Sequence, residues 1–254
     1  MNSQFKKMLE ERVKKIPKRE DIKEEYNCPF CRDFLYTFNE EGQALPCKCK
    51  DKVEAKRKLE ISGISEAFKY KTFSTYKTDN KILKQAKNEC IDYCIKFKEN
   101  TKYNKSILLS GQPGSGKTHL GTAIMLNLIE NNILCIYDSY VNMMINLKQS
   151  IMDEINYSRQ IEKYINPKVL FLDDFLKGKP TDADLKYIYE IVDERYKNKK
   201  TIIISTEKTP QELLEFDEAV GSRIIEMCGG GKDGNTEGAN IVLFKGKDLN
   251  YRLR

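Results

Sequence analysis

Gly111-Gln112-Pro113-Gly114-Ser115-Gly116-Lys117-Thr118 gathers glycines, a lysine and a hydroxyl into one short segment. An apolar run, Ser106 to Ser110, leads into it, and the apolar stretch Thr122 to Ile129 follows. The order is therefore buried strand, glycine-rich loop, helix, which is the context a phosphate-binding loop requires. Glycines let the backbone wrap an anion with successive N–H groups pointing inward, and the helix presents its positive end to the same anion. Lys117 is placed to reach the β- and γ-phosphates, and the Thr118 hydroxyl to ligate Mg²⁺. His119, the single histidine of the chain, adjoins the same site. The chemistry implied is nucleotide binding.

Three other segments carry groups that could complete such a site. Val169 to Leu172 is apolar and ends in Asp173-Asp174. A buried parallel strand delivers its last residues to the ligand crevice, where Asp173 would hold the Mg²⁺ hydration shell and Asp174 would polarise the attacking water. The plainer reading is a strand whose acids begin a turn. Thr201 to Ile204 is a second apolar strand, ending in Ser205-Thr206-Glu207. It could sense the γ-phosphate or orient the lytic water, or simply close a strand through local hydrogen bonds. Gly221-Ser222-Arg223 puts an arginine on a short helix after that strand. Most such arginines are solvated, but one supplied across a subunit interface stabilises charge on the γ-phosphate.

A separate cluster lies upstream. Cys28-Pro29-Phe30-Cys31 and, fifteen residues on, Cys47-Lys48-Cys49 supply four thiols in two close pairs. Zn²⁺ takes four thiolates tetrahedrally, and paired ligands on tight knuckles are the usual way to present them. A redox dithiol would need only one pair and a βαβ setting that is absent. Phe34, Tyr36 and Phe38 alternate between the pairs as in a hairpin. They could stack on bases, but so small a module needs apolar filling, so they are expected to pack inward. Cys90 and Cys94, four apart on a helical stretch, are expected to serve packing; Cys135 and Cys228 receive no role.

The elements that must position these groups alternate. Strands are predicted over 107–109, 134–137, 169–172, 201–205 and 241–244, with helices over 81–98, 117–130, 140–164, 181–197 and 210–227. Strands apolar on both faces and alternating with helices imply an α/β fold, a parallel sheet sandwiched by helices. Residues 1–25 have loose helical spacing ended by Pro17, and 51–59 is a helix-prone connector. The expected division is 1–60, a helical N-terminus with the cysteine module and its connector, and 61–254, the nucleotide-binding domain. Gly229 to Gly238 reads as a loop insertion before the last strand.

Of 254 residues, 40% are hydrophobic and 32% charged, with no run of 18 apolar residues and no apolar core near the N-terminus. A spanning segment and a signal peptide are not expected, and a cytoplasmic location is. Eight cysteines in such a chain argue for metal or packing rather than disulfides. A Ser-His-Asp or Cys-His nucleophile system would have to use His119, at the phosphate loop, and is discounted. The net charge of +6 suits nucleic acid without requiring it.

Together, GQPGSGKTHL, VLFLDDF, IIISTEKT and EAVGSRIIEMC resemble the AAA+ ATPases of the DnaC/DnaI helicase-loader group, which includes the transposition helper IstB and many phage loaders. The likeness runs from about Phe73 to Arg254. It implies an AAA+ P-loop fold in which the loop and Asp173-Asp174 are Walker A and Walker B, and Ser205-Thr206-Glu207 is sensor I. It further implies that Arg223 is the arginine finger offered to a neighbour's ATP and that Arg252 makes a sensor II-like contact. The helical stretch 140–164 falls where loaders and initiators of the group carry an extra helix associated with single-stranded DNA and filament geometry. Asp174 stands where many members have glutamate, a shorter arm that suits slow, partner-stimulated hydrolysis. Glu207 stands where asparagine is frequent, so Ser205, Thr206 and Glu207 remain alternatives for the sensor. An N-terminal zinc module is also found in DnaI-like and phage loaders, where it implies contact with the replicative helicase. The resemblance thus predicts a helicase loader using ATP, Mg²⁺ and Zn²⁺. Its partners would be a DnaB-type hexameric helicase, single-stranded DNA, and copies of itself or related AAA+ subunits. The alternatives are an IstB-like transposition helper and a metabolic P-loop kinase, the latter disfavoured because no arginine-rich acceptor lid is evident.

Overall fold

The apolar runs of the sequence become the five strands of one parallel sheet. A computed structural model describes residues 26–99, 105–231, 236–246 and 249–251. The helix expected over 1–25 and the contact expected of Arg252 lie outside the described residues. The described chain divides into two compact units at Lys50/Asp51.

In the first unit, β1 (Tyr36–Phe38) pairs antiparallel with β2 (Ala44–Pro46), Thr37 opposite Leu45. Its interior is made by Cys28, Cys31 and Cys47, with Cys49 packed against them.

All but the first residue of α1 (Lys50–Ile61) belongs to the second unit, which continues with α2 (Lys81–Glu99), β3 (Ile107–Gly111), α3 (Lys117–Glu130) and β4 (Cys135–Ser139). It continues with α4 (Tyr140–Ser150), α5 (Glu154–Ile165), β5 (Val169–Phe175), α6 (Asp182–Lys197) and β6 (Thr201–Thr206). It closes with α7 (Pro210–Phe216), α8 (Glu218–Met227) and β7 (Ile241–Phe244). Strand order is β4-β5-β6-β3-β7, every pairing parallel. Chain order breaks at β3, which lies between β6 and β7, and ligand crevices form at the carboxyl end of such a break.

Alternation along the strands feeds two cores. Ile107, Leu109, Val169, Phe171 and Ile203 face α2 and α3, while Leu108, Leu170, Leu172, Ile202 and Ile204 face the helices on the other side. On α2 the buried positions Leu83, Ala86, Cys90, Tyr93, Cys94 and Phe97 keep helical spacing, so Cys90 and Cys94 are packing residues. Burial pushes the thiol of Cys94 up to about 12 and those of Cys90, Cys135 and Cys228 up as well, which makes them unreactive.

The helices expected over 140–164 are two, and Asp153 caps the second by accepting from Asn156 N–H (3.1 Å). β5 runs three residues beyond Leu172, and its register on β6 slips between Leu172 and Phe175.

Candidate functional site

The loop between β3 and α3 is held open by backbone that only glycine adopts easily. Gly114 and Gly116 have φ of 71° and 88°. A Cβ on Gly116 would lie 2.6 Å from the Tyr76 ring, and one on Gly114 1.9 Å from Asn250 Oδ1. The loop is thus packed on both flanks by chain distant in sequence. Tyr76 OH donates to Ser115 O (3.1 Å), Tyr251 N–H donates to Gly114 O (3.1 Å), and Ser115 Oγ ties back to Gln112 O (2.8 Å). Gln112 is anchored at the sheet, its N–H on Phe244 O and its Oε1 accepting from Gly246 N–H.

Lys117 is buried, and its Nζ donates to Gly111 O (2.7 Å) and Gln112 O (2.8 Å). Burial lowers its pKa, opposed by the nearby carboxylates of Glu207 and Asp174. Thr118 Oγ1 donates to Asp173 Oδ1 (2.9 Å), so the end of β5 and the start of α3 clasp the position where a cation would sit. Ser205 Oγ also donates to Asp173, Tyr137 OH approaches its other oxygen (3.3 Å), and burial raises the carboxyl above the usual range. Asp174 has φ of 52°, and its N–H donates to Ser205 Oγ (2.9 Å).

A cleft of about 190 Å³ opens over these groups, lined among others by Pro113, Lys117, Thr118, His119, Asp174 and Glu207. The fit to a polyphosphate and Mg²⁺ rests on the glycine cradle a Cβ would fill, the ammonium at its base, and the hydroxyl–carboxylate pair beside it. His119 sits at the mouth, where Nε2 donates to Thr72 O (2.9 Å); burial lowers its pKa, leaving it neutral.

The other predicted residues divide. Ser205 reaches Asp173 and Glu207 lines the cleft, but Thr206 commits its hydroxyl to Phe175 O (2.7 Å) and Lys208 N–H (3.1 Å). Arg223 is not among the residues lining the cleft. Its Nε donates to Asp193 Oδ1 (3.0 Å), Nη1 to Ala219 O (2.8 Å), and the guanidinium lies over the rings of Tyr189 and Tyr196. Gly221 is required by packing, since a Cβ there would meet Leu213 O at 2.6 Å where α8 crosses α7.

Sequence reasoning missed Lys71, Thr72, Tyr76 and Lys177. Lys71 and Lys177 line the cleft, and Thr72 and Tyr76 hold His119 and the loop. The aromatic density of 68–76 was the available signal, though it reads equally as a lead-in to the domain.

In the first unit the four cysteine sulfurs lie within 4.8 Å of one another, with Cys28–Cys47 at 3.8 Å and Cys31–Cys49 at 3.4 Å. A Zn–S bond of 2.3 Å gives a tetrahedral edge of about 3.8 Å, so the donor set fits zinc. The Cys31 N–H draws the Cys28 thiol down to about 7, while hydrogen bonding with Cys31 raises Cys49. Phe34, Tyr36 and Phe38 correct the expectation of inward filling: they are 79%, 42% and 74% exposed. Sulfur, with Asp33 accepting from the N–H groups of Asn27 and Cys28, occupies the centre instead.

Comparison with known proteins agrees with this geometry. The family model described as IstB-like ATP binding protein matches residues 54–224. The uncharacterized protein YqaM of Bacillus subtilis (strain 168) is 39% identical over 218 residues, 82% of this chain and 66% of that protein. The phage-like element PBSX protein XkdC of the same strain is 34% identical over 242 residues, 90% of this chain and 86% of that one. The replicative helicase loader DnaC of Buchnera aphidicola subsp. Schizaphis graminum is 28% identical over 155 residues, 59% of this chain and 60% of its own. Among solved structures, a DnaC helicase loader superposes with a TM-score of 0.56 at 23% identity, over 71% of this chain and all of that one. DnaI gives 0.57 at 15%, over 76% and 99%. These two likenesses show the fold, a parallel sheet flanked by helices.

Proposed function

This chain belongs to the IstB-like ATP-binding protein family, and from that premise we propose that it is an ATP-driven loader of a hexameric replicative helicase onto single-stranded DNA. The observation that carries the reading is the union, in one chain, of a phosphate cleft and a four-cysteine module. The cleft offers chemistry for a nucleotide, and ATP serves as a conformational timer.

Gly111 to Thr118 hold the phosphates, Lys117 leaving its loop carbonyls for the β- and γ-oxygens. Thr118 and Asp173 hold Mg²⁺, which when bound neutralises phosphate charge. Asp174 accepts a proton from the attacking water, and its short arm makes hydrolysis slow and dependent on a partner. Ser205 fixes Asp173 and so couples the sensor strand to the cation. Arg223, turned away from its own cleft, serves the cleft of a neighbour. The apolar, exposed Ile151, Met152 and Ile155 at the turn between α4 and α5 favour contact with further copies of the chain over contact with phosphate. Arg252 is assigned the sensor II-like contact. The four cysteines hold zinc and shape the module that meets the helicase.

The match to IstB-like proteins supports a second reading, assembly with a transposase. The two are separated by gel filtration of the purified chain with its host's replicative helicase, then with a cognate transposase. Co-elution with the helicase, and ATP-dependent transfer of that helicase onto circular single-stranded DNA, is expected. Co-elution with the transposase alone would overturn the loader reading.

A further inference from the structure

The end of β5 and the turn after it bring a further lysine to the phosphate cleft, beside Lys71 and Lys117. Asp174 and Leu176 both have positive φ, 52° and 59°, and Lys177 N–H donates to Asp174 O (3.0 Å). Non-glycine residues in the left-handed region are strained, and such strain persists where surrounding structure enforces it. Its result is to fold Lys177 back over the end of the sheet. There the ammonium pairs with Glu207, which arrives from the end of the neighbouring strand β6. Lys177, Glu207 and Asp174 line the phosphate cleft together, and the same three line a second cleft beside it, so the ion pair stands as the partition between the two.

Charge makes this arrangement responsive. Glu207 beside a polyphosphate is repulsive, and Lys177 masks it while the cleft holds no anion. The pair is partly exposed, with side chains 44% and 36% accessible, and such solvated pairs hold weakly. A phosphate oxygen, carrying more charge and reached without leaving the cleft, outcompetes that carboxylate. Lys117 already serves the base of the cradle, where its bonds are to Gly111 O and Gln112 O. Lys71, which also lines the cleft, lies over the Phe68 ring, 3.5 Å from its centroid, whereas Lys177 enters from the β5–β6 side and adds a second cation to Lys117 at the far end of the chain of phosphates.

We propose that Lys177 is a nucleotide-discriminating residue that exchanges Glu207 for the terminal phosphate of a nucleoside triphosphate. Glu207 sets the threshold for the exchange. A diphosphate lacks the terminal group and leaves the pair closed. This extends the nucleotide-site reading and rests on it.

Equilibrium binding of fluorescent ATP and ADP analogues to the full chain tests the exchange. Lys177→Ala should weaken the triphosphate at least about tenfold, the size of one charge-assisted hydrogen bond, while changing the diphosphate less than about twofold. Lys177→Arg should retain most of the preference, and Glu207→Gln should tighten the triphosphate several-fold. An unchanged triphosphate-to-diphosphate ratio in Lys177→Ala, or equal weakening of both, would overturn the proposal. Lys117→Ala in the same assay should lose both nucleotides; if it binds them normally, the phosphate-loop reading itself fails. Because the ion pair is solvated, thermal melting of the Lys177 and Glu207 variants should match the parent chain.

Discussion

At the scale of single residues, the cation position is built against its own stability. Asp173 is a buried carboxyl raised above its usual range by burial, with three hydroxyls turned toward it. An acid whose folded pKa is raised penalises the fold fully above that raised value. The penalty vanishes as pH falls below the unfolded carboxylate value. Asp173→Asn should therefore raise the melting temperature of the nucleotide-free chain by roughly 2–4 °C at neutral pH, as a gain of about 1 kcal/mol would. The gain should fade toward acidic pH, and Mg²⁺-dependent nucleotide binding should be lost. Scanning calorimetry against pH checks both; a variant less stable at neutral pH than its parent would contradict the assignment of cause.

Elements explain why some of this was legible in the sequence and some was not. The loop, Asp173 and Ser205 could be read directly, because a strand apolar on both faces must end at the sheet's carboxyl edge. Lys177 could not, since its place depends on two left-handed residues, Asp174 and Leu176, whose side chains give no hint of that backbone. Tyr76 escaped because its partner, Ser115 O, lies 39 residues along the chain. The exposed phenylalanines of the cysteine module were misread because thiols take the centre that apolar groups usually fill. Gly221 shows the reverse: its place in the Gly-Ser-Arg segment is legible, but its reason is the approach of α8 to α7. Gly221→Ala should cost about 1–3 kcal/mol in urea melts, by forcing the helices apart. A neutral effect would mean that the crossing can relax freely. For the cysteine module, two three-residue strands bury too little to hold without a staple. Metal analysis of the full chain should find one zinc. Cys28→Ser with Cys31→Ser should remove it and open residues 26–50 to protease while ATP binding persists.

For the molecule as a whole, the separation of Arg223 from the cleft of its own chain is the consequential arrangement. Asp193, Tyr189 and Tyr196 hold the guanidinium on the α6–α8 face. If it serves a neighbour, Lys117→Ala and Arg223→Ala should each lack stimulated ATPase activity. An equal mixture should recover about a quarter, because one junction in four joins an intact cleft to an intact arginine. No recovery in a mixture that still co-assembles would place the arginine outside the reaction. No helix among the described residues is long and apolar enough to cross a membrane.

The place of β3 between β6 and β7 has a temporal consequence. The ribosome releases the strand that carries the phosphate loop, residues 107–111, long before either flanking strand, 201–206 or 241–244, exists to pair with it. At roughly 5–20 residues per second, the interval from β3 to β7 is on the order of ten seconds. Until β6 is made the nascent chain displays an unpaired apolar strand, and until β7 is made that strand lacks its second neighbour. Binding competence waits on strands made long after the loop itself, and a chain stalled before residue 201 would hold its phosphate loop on an unpaired strand, inert.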